Sequence, residues 1–294
     1  MRIELRFVLP FMGLLALPAA PVTDDDAAAI MAKVAANVEK AADSRRQFVY
    51  HQSVISSLVR FNGQIARREN REYDVFPTES SSEKKLISLR GELRRGKKTT
   101  PYSEVGFKDK GLDIDGDLMR DLTNELVDEK HSRDGIPHSL FPLRAEDLPG
   151  YRFTFKEEVE YQGRRTYKIR FEPADKHTCI SFGSDDDGCE GQSWKGEAWI
   201  DAAELQPVRI FTQQAFRVPW GIKVFLGTNI QQSGFAISYE RLAENVWFPV
   251  SYGTEFRFNV LWGYRRTVTL SLVSNGFRKT DVASKIEYHA PKEP

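Results

Sequence analysis

The chain has 294 residues, 40% hydrophobic and 29% charged, which supports a folded core and argues against disorder throughout. Lys plus Arg and Asp plus Glu number 42 each, so no bulk cationic field exists to hold a nucleic-acid backbone. A mean hydropathy of −0.47 excludes a multi-spanning membrane protein, and 19 Phe against 4 Met favours β structure over a helical bundle.

Arg2 and Arg6 lead into an apolar run over residues 7–17, and Ala19 and Ala20 follow. This is the pattern of a secretory signal peptide, expected over residues 1–22. The run is shorter than the ~20 residues that span a bilayer, and Pro10 and Pro18 disfavour an anchor helix. The expected product is an exported protein, residues 23–294, forming one domain.

Beyond the leader, Asp24, Asp25 and Asp26 suit the positive end of a helix, and Ile30, Val34, Val38 and Ala42 form one apolar stripe. The spacing predicts a helix over residues 24–44. At Gln47 the period changes to two: Phe48, Tyr50 and Val54 alternate with His51 and Ser53. Asn62-Gly63 then turns the chain into a second strand over residues 65–76, and a third follows over 85–93. Residues 101–116 read as loop, and Leu118, Met119, Leu122 and Leu126 predict a second short helix. With the breakers at Asp134-Gly135-Ile136-Pro137 and Leu148-Pro149-Gly150, residues 95–150 form an irregular helical insertion.

The second half is nearly continuous β. Tyr151, Phe153 and Phe155 start a strand that turns at Gln162-Gly163 into Tyr167, Ile169 and Phe171. Further strands are expected over residues 194–201, 208–217, 235–242, 246–260, 262–272 and 277–288. Alternation of this kind describes antiparallel strands with one apolar and one solvated face. The predicted fold class is α+β: a strongly curved antiparallel β-sheet, a half-barrel, wrapped around one or two helices.

Cys179 and Cys189 are the only cysteines, an even count that in an oxidising compartment reads as a disulfide. A zinc site with His177 is the alternative, against which stands the spacing of the thiols. The chain carries no Gly-x-Ser-x-Gly elbow, Walker loop, His-Glu-x-x-His helix or dinucleotide glycine pattern. Asp113-Ile114-Asp115-Gly116-Asp117 resembles the start of a calcium loop, but Asn124 stands where glutamate is required, so a solvated helix N-terminus is the stronger reading. No nucleophile, metal set or cofactor is identified, and no enzyme is expected.

Two features remain. The inward-facing set Phe153, Phe155, Tyr167, Ile169, Phe171, Phe248, Tyr252 and Phe256 either fills a core or lines an apolar cavity able to take an acyl chain. The segment with Trp220, Ile222 and Phe225 reads as a buried crossover, as a lid over that cavity, or as a patch that contacts a partner or, transiently, a membrane.

The run Tyr161-Gln162-Gly163-Arg164-Arg165-Thr166-Tyr167-Lys168-Ile169-Arg170-Phe171 is followed by Trp194-Lys195-Gly196-Glu197-Ala198-Trp199-Ile200-Asp201 and then by Gln206-Pro207-Val208-Arg209-Ile210. This resembles the outer-membrane lipoprotein-sorting family, the LolA/LolB-like periplasmic carriers. The resemblance implies a half-barrel closed by helices, with acyl chains of a lipid or lipidated protein held in its concave face. The function expected is therefore a periplasmic lipid or lipoprotein carrier. The alternative is a non-catalytic envelope sensor or scaffold of the same fold that binds a protein partner.

Overall fold

A computed structural model describes residues 24–77, 82–109, 111–127, 144–174, 195–213, 229–260 and 264–280. Helix α1 spans Asp24–Arg45, and strands β1 (Phe48–Arg60), β2 (Ile65–Pro77), β3 (Ser82–Arg95) and β4 (Lys98–Tyr102) follow. Helix α2 spans Ile114–Val127, and a single 3₁₀ turn at Leu148–Gly150 leads into the second run of strands. These are β5 (Tyr151–Tyr161), β6 (Arg164–Pro173), β7 (Lys195–Asp201), β8 (Pro207–Gln213), β9 (Asn229–Ala243), β10 (Val246–Val260) and β11 (Tyr264–Lys279).

All eleven strands form one antiparallel sheet in the order β4-β3-β2-β1-β11-β10-β9-β8-β7-β6-β5. Two meanders, β1 to β4 and β5 to β11, join where β1 pairs with β11. The two edge strands, β4 and β5, are successive in the chain. The connection between them must therefore cross a face of the sheet, and α2 lies on that connection, against β1.

This corrects the expected half-barrel. The sheet is neither closed nor strongly curled, because β4 and β5 remain separate edges. The helices share the apolar face: α1 lies against β5 and β10 and α2 against β1, so covering that face does not require the sheet to wrap around them. Two strand assignments also change. β4 lies within the stretch read as an irregular helical insertion, and residues 277–279, expected to open a last strand, continue β11. Within it Gly276 takes φ 67°, and the β1–β11 register shifts between Val49 and His51. Asn275-Gly276 thus builds a bulge inside a strand instead of a turn between two.

The core lies between the helices and this face. α1 contributes Ala27, Met31, Val34, Ala35 and Val38, and α2 contributes Leu118, Met119, Leu122 and Leu126. Phe153, Ile169, Phe171, Ile200, Ile210, Tyr252 and Phe256 meet them from the strands. Asp113 caps α2 by accepting the Gly116 N–H at 3.0 Å, so the Asp-Gly run starts a helix and is not a calcium loop.

Cys179 and Cys189 lie outside the described residues. No disulfide is present among the described residues, and the expected staple is withdrawn. The leader (1–22) and the segment with Trp220, Ile222 and Phe225 also lie outside the described residues.

Candidate functional site on the outer face of the first strands

Strand β1 alternates strictly, with Phe48, Tyr50, Gln52, Val54, Ser56 and Leu58 turned to the helices. Its other residues, His51, Ser53, Ile55 and Ser57, therefore share the outer face. The β1–β2 register sets them opposite Asp74, Glu72, Asn70 and Arg68, and β3 adds Arg90 beside Asn70 and Glu92 beside Arg68. Five of the six β2 residues from Arg67 to Glu72 are charged, and the sixth is Asn70, so its outer face is polar by composition.

These side chains are tied together. His51 Nε2 lies 2.8 Å from Glu72 Oε2 and Nδ1 lies 3.1 Å from Asp74 Oδ1. Ser53 donates to Glu72 Oε1 at 3.0 Å, and Asn70 Nδ2 donates to the same oxygen at 2.8 Å. The hydrogen bond to Asp74 is the main cause that raises the His51 pKa above 6.5; Glu72 adds to it and partial burial opposes it. Once the ring is protonated both nitrogens donate, so the two carboxylates favour the imidazolium more than solvent does.

Two open grooves flank this network. One, of about 660 Å³, is walled by Ile55, Arg68, Asn70, Arg90, Glu92 and Pro101. The other, of about 400 Å³, lies at the β11 bulge among Val49, His51, Asp74, Phe277 and Arg278. With the Ser53–Glu72 pair between them, they form one track that alternates cations, carboxylates and amides with Ile55 and Pro101. The edge of β4 runs beside it and has no further strand partner among the described residues. With Leu89 and Tyr102 in the larger groove and Tyr50 in the smaller, the surface sets hydrogen bonds and charge beside apolar side chains, the combination that recognises a peptide.

The His51 cluster carries a pH signature. A group whose folded pKa is raised stabilises the fold fully below its unfolded pKa, and that stabilisation is lost as pH rises through the folded value. Thermal melts should therefore show stability falling as pH rises from below 6.5 through the raised folded value. The ring is over a third exposed, which limits the effect to about 0–1 kcal/mol. The variant His51→Gln should flatten this part of the profile; an unchanged profile would refute the ionic role.

Beneath the track, the inner face of β2 buries charge as well. Arg67 donates to Asp113 Oδ2 at 2.7 Å, Arg71 Nε to Glu69 at 2.5 Å, and Tyr102 to Glu69 Oε2 at 3.0 Å. Arg71 also reaches Asn124 of α2 at 2.8 Å. The Tyr102 ring stacks on Phe107 at 4.3 Å and lies over Gly91, where a Cβ would stand 2.1 Å from the ring. Burial, followed by the Glu69 charge, pushes the Tyr102 hydroxyl far above its ordinary pKa. Burial disfavours an ionised Asp113, but the Asp109 and Gly116 N–H groups and Arg67 outweigh it and hold its carboxyl below the ordinary value. This network fastens β2, β4 and α2 into one unit beneath the track.

The residues expected to bind lipid lie elsewhere. Phe153, Ile169, Phe171, Tyr252 and Phe256 are buried in the main core, with Phe155 and Tyr167 half-buried against it. Phe248 belongs to a separate cluster with Phe48, Tyr50 and Val75. Neither groove is lined by any of the eight. Sequence reasoning missed the track altogether. The available signal was the run from Arg67 to Asp74, where ionic residues occupy both faces of a strand.

The Ile200-Asp201 to Gln206-Pro207 motif has a local explanation. Asp201 Oδ1 accepts the N–H groups of Ala203 at 3.0 Å and Glu204 at 2.7 Å, and Oδ2 accepts Arg164 Nε at 2.6 Å. Asn37 of α1 donates to the carbonyls of Glu204 and Leu205, both at 3.2 Å, and Trp247 Nε1 donates to Glu204 Oε2 at 2.8 Å. The motif locks the β7–β8 turn onto α1 and β10.

No family model matches the chain. No curated protein matches it either. Among solved structures it is similar to a putative outer membrane lipoprotein-sorting protein domain from Vibrio parahaemolyticus, at 9% identity and a TM-score of 0.33, covering 87% of this chain and 95% of that one. A LolA superfamily protein from Nitrosomonas europaea follows at 12% identity and 0.30, covering 84% and 94%. The Pseudomonas aeruginosa MucA/MucB complex matches at 10% identity and 0.23, covering 84% and 99%. Likenesses this distant assign the chain neither a family nor an activity. Among the described residues, no group of three or more His, Cys, Asp or Glu side chains is placed to hold a metal ion.

Proposed function

We propose that the chain is a non-catalytic scaffold of the cell envelope that binds a protein partner along the polar track of β1 to β3, beside the β4 edge. One observation carries this reading. Most of the aromatic residues that a carrier would use for acyl chains are buried in the core shared with α1 and α2, whereas the larger described groove lies on the opposite face among Arg68, Asn70, Arg90 and Glu92. Side chains already in mutual contact have no surface to give a ligand without displacing a helix. Arginine and amide groups beside a free strand edge suit an extended segment of polypeptide, with main-chain hydrogen bonds for affinity and charge for register. The export expected from the leader places this partner in the envelope.

The test is a photo-crosslinking amino acid at position 90, compared with one at the exposed position 240 on the other meander. The expected result is one discrete protein adduct from position 90, lost in an Arg68→Glu background, together with an unliganded mass for the purified protein. A stoichiometric lipid adduct with no crosslink at position 90 would overturn the proposal in favour of a carrier.

A further inference from the structure

The end of the sheet where β1 turns into β2 carries a second surface, separate from the track. Register places several tips there together. Arg60 pairs with Arg266, Arg67 with Leu93 and Arg95 with Lys98, so the β1–β2 tip, the β3–β4 tip and the start of β11 share this end. The Arg60 guanidinium donates to the Arg94 carbonyl at 2.9 Å, which fastens the two hairpin tips to each other. The loop before α2 arrives at the same end through Asp109 to Arg95 and Asp113 to Arg67.

Apolar side chains stand out from two segments of this end, the β1–β2 tip and the loop before α2. Phe61 is 78% exposed, Leu112 75% and Ile65 43%. Among them Arg94, Lys97, Lys98 and Arg265 are exposed and have no carboxylate partner among the described residues, whereas Arg95 and Lys108 are neutralised by Asp109 and Asp117. Against the four stand the exposed acids Glu92 and Glu104. In a chain with formal net charge +0, this basic excess at one end makes the molecule polar along its length.

A protruding aromatic ring ringed by unpaired cations is the arrangement that holds a protein to an anionic lipid surface. The ring enters the interface while lysine and arginine meet phosphate, and neither signal suffices alone. We infer that this end docks on an anionic phospholipid membrane, with Phe61 as the inserted anchor and Arg94, Lys97, Lys98 and Arg265 as headgroup contacts. Docking by the tips leaves the outer-face track free, so this inference extends beyond the proposed partner binding and stands or falls separately from it.

The test is co-sedimentation of the purified protein with phosphatidylcholine vesicles, with and without roughly 30% phosphatidylglycerol. The expected result is binding to the anionic vesicles that weakens with added salt. Replacing one cation, as in Lys97→Ala, should reduce affinity about fivefold. Removing the ring, as in Phe61→Ser, should reduce it about tenfold without affecting the fold, since the ring makes little contact with the protein. Equal binding to neutral vesicles, no binding at low salt, or binding indifferent to both substitutions would overturn the inference. Capture of a protein by this end in place of vesicles would also overturn it.

Discussion

Replacing Arg67 with methionine should lower stability by about 3–5 kcal/mol, because it strands Asp113 as a buried carboxylate without its cation. The pair is shielded on both sides, at 2% and 8% side-chain exposure, and is not a surface ion pair of small value. The guanidinium also lies 5.4 Å from the Tyr102 ring centroid and 5.6 Å from that of Phe107, so its loss removes two cation–π contacts. A methionine retains the apolar stem, which keeps the experiment directed at charge. The Asp113 carboxyl is held below its ordinary pKa, and a lowered folded pKa gives stability above the unfolded value that is lost as pH falls through the folded one. Without Arg67 that depression weakens, and acid unfolding should begin at higher pH. Denaturant melts of the single and double variants with Asp113→Asn should give a coupling of about 0.5–3 kcal/mol. A single-variant loss below about 1 kcal/mol would mean that the pair behaves as an exposed one.

Much of the architecture was legible, for reasons that can be named. Helix α1 announced itself by an alanine-rich stripe behind three aspartates, and the structure places it at Asp24–Arg45. Asn62-Gly63 marked the β1–β2 hairpin, and Gly63 takes φ 79° there. Asn275-Gly276 falls between two strands expected as separate, where a glycine of positive φ serves a bulge as well as a turn and only the pairing partner decides between them. β4 escaped because Lys98-Thr99-Thr100-Pro101-Tyr102 is short and interrupted by proline, as suits an edge strand. The curvature was misjudged because alternation reports which face is apolar and not what covers it. That depends on where α2 comes to rest after crossing between the two edges. The strands bearing the candidate site were largely foreseen and the site itself was not. Its residues are polar on a strand whose inner face is also charged, and the usual contrast between buried and exposed positions vanishes there.

The same question of cover decides between core and cavity, and truncation measures it. Phe171 is fully buried, with Tyr151 edge-on at 6.0 Å and the Gly196 backbone beside its ring. The variant Phe171→Ala should therefore cost about 3–5 kcal/mol, the transfer energy of the ring plus the void left behind. Phe155 is only half-buried at the margin of the same cluster, so Phe155→Ala should cost roughly 1–2 kcal/mol. If Phe171 lined an open cavity, its ring would already lack neighbours on one side. Its truncation would then approach the Phe155 value, and a bound acyl chain would protect the wild type against denaturant and spare the variant that protection. A large gap between the two variants, unaltered by added fatty acid, is the outcome required of a filled core. It would favour the partner-binding reading proposed for the outer face of β1 to β3 over a lipid cavity in the core.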